Sequence, residues 1–368
     1  MKIKLLILFI LSFFMFLPSF SEESVILPSE KGRVLSVQYV DTDDAVVQTK
    51  QVAEIKILTG EFKGQTVELE NVLTGNPYYD IKLKKGIKVL LHAEENEAGG
   101  VEYSVEDICR AGTLVWLSAI FCALLIYTGK KKGLCSLISI FLTVFLITHC
   151  LSPLILMGIN PILASMLICI LSTMATMYLV GGFNAKSTSA SLGAILSLLF
   201  AAGLSALVMY TAHLTGFSAE NSTFLYSAHP ELDFVCLMIS MMVLATLGAV
   251  MDVAMSISST VNEIYLTDKQ IGVKQLFQSG MNVGRDIIGT MANTLILVYL
   301  GGSLPLVLLA ENLDLQKFIN LNQVVTEIAS ALIGSIAIVI CVPFTALVAS
   351  VLISRYAKKS EQIQIPFE

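Results

Sequence analysis

The 368-residue chain is 55% hydrophobic and only 14% charged, against roughly 45–50% and about 25% in an ordinary soluble domain. A fully water-solvated fold is excluded, and lipid has to be part of its solvent. The net charge of −6 repels phosphate backbones and argues against a nucleic-acid partner.

The charge is segregated, with 17 acids and 10 bases in residues 22–111 but 12 acids and 11 bases in the longer remainder, residues 112–368. That pattern predicts a polar head followed by a lipid-embedded body. At the N-terminus, Lys2 and Lys4 precede an apolar run from Leu5 to Leu17, and Pro18-Ser19-Phe20-Ser21 offers small residues for cleavage after Ser21. This is the layout of a secretory signal peptide, residues 1–21, with an uncleaved anchor as the alternative. Either way, an extracytoplasmic domain is expected over residues 22–110.

Within that domain, alternating or β-branched runs at Arg33–Val40, Gln48–Leu58, Gln65–Val72, Ile87–His92 and Val101–Val105 are separated by Gly-, Pro- and Asp-rich breakers. About five short strands predict a small closed barrel of the OB or SH3-like kind, because closure removes exposed strand edges. Tyr78 and Tyr79 supply the sole aromatic platform seen there, so a docking or structural module is expected rather than a dedicated ligand-binding barrel.

Runs long enough to cross a bilayer follow at Gly112–Tyr127, Gly133–Met157, Pro161–Val180, Ser189–Thr215, Leu232–Ser258, Ile287–Ala310 and Thr326–Ser354. The expected fold is thus an α-helical integral membrane bundle of about seven transmembrane helices, residues 111–356, carrying an N-terminal β-barrel-like domain. A cytoplasmic tail, residues 357–368, ends the chain. Cytoplasmic loops are enriched in Lys and Arg. With the head outside, the inner loops hold Lys130, Lys131, Lys132, Lys186, Lys269, Lys274, Arg285, Arg355, Lys358 and Lys359, and the outer loops hold Lys317. Between the fifth and sixth runs, Thr267 and Gln270 fit a capping box and Gly280 a helix end, which predicts a separate interfacial helix.

Intramembrane polar residues are the first place to look for function, because each costs free energy unless it meets water or a partner. On the fifth run Asp252, Ser256, Ser259 and Glu263 share one helical face; on the sixth, Asn282, Asp286, Thr290 and Asn293 do so, with Arg285 alongside. The bland reading is hydrogen-bonded glue between two helices, with Arg285 near Asp252 or Asp286. The functional reading is a polar site for an ion or small polar solute in a permease-like protein. Gly182-Phe183-Asn184 before the fourth run and Gly280-Met281-Asn282 before the sixth also form a weak echo, and helix breaks are expected at Pro153, Gly301–Pro305 and Pro343.

Other chemistry is weaker. An intramembrane aspartyl protease would need two carboxylates sharing a proton, and Arg285 works against that. Methionines 238, 241, 242, 251 and 255 are ordinary apolar filler rather than a metal ladder. Neither a Walker loop nor a dinucleotide fingerprint is present, so no cofactor, metal or enzymatic activity is implied. A non-transporting membrane scaffold or receptor presenting the head to a protein partner is the runner-up function.

The stretches Gly248–Ser259 (GAVMDVAMSISS) and Ser279–Tyr299 (SGMNVGRDIIGTMANTLILVY), with Gly182–Thr188, resemble the signature of the YibE/F family of bacterial multi-pass membrane proteins. The resemblance implies the head-then-spans layout and carries no established activity. Asp252, Ser256, Ser258, Asn282, Asp286, Thr290 and Asn293 are the residues that match its motifs.

Overall fold

A computed structural model describes residues 29–41, 49–60, 62–95, 101–218 and 220–363. The expected leader, residues 1–21, lies outside them. Two compact units divide the chain at Leu124.

The N-terminal unit carries β1 (Glu30–Asp41), β2 (Thr49–Ile57), β3 (Thr66–Leu73), β4 (Lys88–Glu95) and β5 (Val101–Ile108). Each lies within a few residues of its expected position. Alternation drives the sheet: on β2, Gln51, Ala53, Ile55 and Ile57 are buried while Glu54 and Lys56 are exposed, the two-residue period of a half-buried strand. The strands pair antiparallel in the order β3-β2-β1-β4-β5, and β3 also approaches β5. Nearly closed, the sheet has the cyclic order 1-2-3-5-4, which selects an OB-type Greek-key barrel over an SH3-like one.

Among the described residues of this barrel, Gln51 is the fully buried side-chain amide, and both its oxygen and its nitrogen are bonded. Gln51 Oε1 accepts from Leu83 N (2.9 Å) and Asn71 Nδ2 (3.0 Å), and its Nε2 donates to the Leu83 carbonyl (3.2 Å). Asn71 Nδ2 also reaches the Ile81 carbonyl at 2.7 Å. The irregular segment before β4 is thereby sewn onto the barrel by side chains that replace strand pairing.

The second unit is helical, and the first of its helices begins in the N-terminal unit and crosses the division. Its long elements are α1 (Ala111–Leu146), α3 (Pro161–Gly181), α4 (Ala185–Thr211), α6 (Phe234–Thr267), α7 (Val273–Gly302) and α10 (Asn322–Ile363). Short pieces are α2 (Ser152–Leu156), α5 (Glu220–Ala228), α8 (Leu304–Leu309) and α9 (Leu315–Ile319). Among the described residues, six helical stretches are long and apolar enough to cross a membrane, the first being Ala111–Leu156 at 46 residues. At about 1.5 Å per residue that stretch would be ~69 Å long, more than twice a hydrocarbon core of about 30 Å.

It is not one straight rod. Lys130 has φ 49° and ψ −124°, and a Cβ added to Gly133 would run into the Leu125 carbonyl. Residues eight apart in a straight helix are about 12 Å apart, so the chain folds back at Lys130 and the stretch contains two helices. That restores a bundle of about seven.

Local chemistry sets the other boundaries. Asn160 caps α3 by accepting from Ile162 N (2.9 Å), with Pro161 at the first helical position, and Asp233 caps α6 by accepting from Cys236 N (3.0 Å). Pro153, which cannot donate to the preceding turn, follows a π-turn at Ile147–Leu151. Pro343 lies inside α10 without ending it.

The interfacial helix is a correction. Thr267 is the last residue of α6, and its hydroxyl donates to the Glu263 carbonyl. The next helix starts at Val273, where Gln275 Oε1 accepts from Gly272 N (3.4 Å). It runs unbroken through Gly280, which is buried against Val261 and Ala346. A glycine there lets helices approach and does not mark an end, so the expected interfacial and spanning segments are one helix.

A single apolar core joins α3, α4, α6, α7 and α10. Small residues set its spacing: a Cβ added to Gly193 on α4 would stand 2.8 Å from the Thr345 Cα on α10. Buried hydroxyls in this core mostly donate to the carbonyl four residues back, as Ser191, Ser197, Ser205 and Ser330 do. They satisfy themselves on their own helix.

Candidate functional site

The polar stripes lie on α6 and α7. On α6 the buried line is Val250, Val253, Ala254, Ile257, Ser258, Val261 and Tyr265, the i, i+3, i+4 spacing of a core-facing stripe. Asp252, Ser256 and Glu263 fall on the other side and are exposed, and Ser259 is half-buried. On α7 the inward residues are Leu276, Gly280, Gly284 and Leu295; Asn282, Arg285, Asp286, Thr290 and Asn293 are all exposed.

Both stripes therefore share a face with their sequence partners, and both look away from the bundle core. Arg285 Nη1 donates to Asn282 Oδ1 on its own helix at 3.0 Å. Among the described residues it forms no ion pair with Asp252 or Asp286, and no hydrogen bond joins the two aspartates. The Thr290 and Thr294 hydroxyls bond back to the Ile287 and Thr290 carbonyls. Among the described residues, Asp252, Asp286 and Asn293 show no such local bond.

Helix α7 is the edge of the bundle. It packs on α10 and α6 and adjoins α8, and only 11% of its most apolar stretch is buried, against 50% in α6 and in α10. Thirty residues make it about 45 Å long. Arg285, Asp286, Thr290 and Asn293 lie roughly 18–30 Å from its N-terminal end. If this helix makes the whole crossing, a hydrocarbon layer of about 30 Å placed anywhere along it contains all four. Arg or Asp near the middle of a lipid-facing helix costs about 2.5–3.5 kcal/mol each. Lipid is a poor neighbour for this face.

The Gly-x-Asn echo does not survive as a structural repeat. Asn184 caps α4 in a tight turn, accepting from Ser187 N (2.8 Å) and donating to the Gly181 carbonyl (2.6 Å), with Gly182 at φ +77°. Asn282 is mid-helix and exposed. The turn is instead tied to α6 through Ser258 Oγ, which donates to the Lys186 carbonyl at 2.7 Å. That gives the Gly182–Thr188 and Gly248–Ser259 motifs one physical meeting point.

Sequence reasoning missed an apolar cleft of about 300 Å³ between α7, α8, α9 and α10, where Tyr299, Ser303 and Glu327 are the polar lining residues among Ile296, Leu300, Ile328 and Leu332. The available signal was a lone carboxylate at the second position of the last apolar run. It was hidden because Glu327 reads equally well as a helix-end residue at the interface.

An OB-type barrel followed by a bundle of about seven apolar helices, with polar motifs on adjacent helices, defines a polytopic helical membrane protein with an N-terminal accessory domain. The chain belongs to the YibE/F family: residues 117–355 match the YibE/F-like protein model and residues 28–108 match the YibE/F family N-terminal domain. Comparison with curated proteins and with solved structures finds no match.

Proposed function

We propose that the protein is a permease-like transporter of an ion or small polar solute, with the path running along the polar faces of α6 and α7. One observation carries this reading: Asp252, Glu263, Asn282, Arg285, Asp286 and Asn293 present charged and amide groups away from the core, on helices long and apolar enough to cross a membrane. Stability alone gives no reason to keep such groups within a membrane span. In this reading the carboxylates bind or relay a cation, and Arg285 sets the local charge balance. Lysine and arginine placement supports an extracytoplasmic barrel and a cytoplasmic C-terminus in the cell membrane.

The test is an untargeted comparison of metals and small metabolites in cells carrying wild-type protein, the Asp252→Asn/Asp286→Asn double variant or no protein. Transport predicts that the double variant, present in the membrane at normal level, resembles the cells without protein. A double variant identical to wild type sinks it.

The scaffold reading has its own observation. Tyr78 and Tyr79 are 73% and 68% exposed on the barrel and stack edge-to-face, beside a cleft of about 760 Å³ lined also by Ile81, Lys84 and Arg110. Exposed tyrosines are favoured anchors for protein partners. Removing them would abolish function under this reading and leave transport intact under the first.

A further inference from the structure

We infer that a second copy of this chain covers the outward face of α7, so that the sixth spans of two subunits lie side by side with their polar stripes in contact. The inference concerns assembly and stands whether or not the protein transports.

Three observations select the occupant. First, the exposed face carries Asn282, Arg285, Asp286, Gly289, Thr290 and Asn293 in a helix long and apolar enough to span, so a cover made of lipid tails is excluded by their polarity. The chain's own first helix fares no better, since residues 111–129 contain no charged or amide side chain. Second, the stripe is self-complementary. Arg285 and Asp286 are neighbours in sequence, and a two-fold axis along the membrane normal holds the same residues at the same depth, so each Arg285 meets the mate's Asp286.

Third, the face changes character along its length. Beyond Thr294 the large exposed residues on the same side are Ile296, Leu297 and Leu300. A two-fold mate keeps polar level against polar level and apolar against apolar, which an unrelated helix would match only by coincidence. Gly289, where an added Cβ meets open space, leaves room at the centre for close approach. Bringing two stripes together also encloses the amides and carboxylates that a single chain leaves open.

The test uses the full chain in native membranes. A benzophenone amino acid at Thr290 is expected to give a photoproduct at twice the mass of the single-chain band in the same membranes, while the same group at Leu167, 51% exposed on α3, gives none. Charge swapping adds a readout that loss of folding cannot mimic. Arg285→Asp faces acid with acid and Asp286→Arg faces base with base, so each alone should lose the paired species. Co-expression should restore a mixed pair, read by differential tags, to near the wild-type level. The inference is overturned by a product of another mass, by a cross-link within one chain, or by co-expressed variants that pair no better than either alone. If either variant fails to accumulate, the Thr290 product in the otherwise wild-type chain decides.

Discussion

The seam between α4 and α10 and the outward face of α7 are both rich in polar and small residues, yet they are opposite environments. In the seam the polar groups are hydroxyls, and Ser191, Ser197 and Ser205 each close onto a carbonyl of their own helix. They need nothing from outside and cost little in an apolar core. On α7 the groups are a guanidinium, a carboxylate and amides, which one turn of helix cannot satisfy; Arg285 reaches Asn282 with one of its five donors. What separates structural from functional polarity in a membrane helix is whether the group can be satisfied locally. The number of polar residues does not separate them.

Glycine gives the sharpest way to break this contrast. Gly193→Val in the seam should destabilise the detergent-solubilised protein by about 2–3 kcal/mol or prevent its accumulation, because the added side chain meets the Thr345 Cα, a backbone atom that cannot swing aside. A melting temperature unchanged from wild type would mean the two helices are not in close contact. Ser258→Ala is the next step down. Its hydroxyl donates to the Lys186 carbonyl across helices, and its loss should cost about 1 kcal/mol. Ser205→Ala, whose bond stays within α4, should cost measurably less. Equal losses for the two would undo the distinction between hydroxyls that tie helices and hydroxyls that serve themselves.

Much of this was legible in the sequence. Five strands showed because Ala53, Ile55 and Ile57 alternate with Glu54 and Lys56, and the fold-back at Lys130 showed because three lysines interrupt an apolar run. The stripes on α6 and α7 were visible as faces for the same periodic reason. Their direction was not, because a period tells which residues share a face and not what that face meets. The apolar side of α7 is narrow, and its contacts are made by Gly280 and Gly284, which hydropathy barely registers. Gly280 looks like a helix end in the sequence because glycine at an end and glycine at a close contact are alike in one dimension. The Asn184 and Asn282 segments looked alike for a similar reason: a three-residue match does not distinguish a cap from a mid-helix position.

The smallest expected effect is also the most diagnostic of the edge. At Gly289 an added methyl meets nothing within 4 Å, and Ala in a helix interior is better than Gly by about 0.8–1.0 kcal/mol. Gly289→Ala in a chain kept single by Arg285→Asp should therefore raise thermal stability by up to that amount. In the otherwise wild-type chain the same methyl enters the contact between two α7 helices, and the gain should shrink or change sign. The difference between the two backgrounds is a coupling that only a covered face produces. Equal gains in both would leave α7 facing open space, and would set the polar stripe in water rather than against a mate.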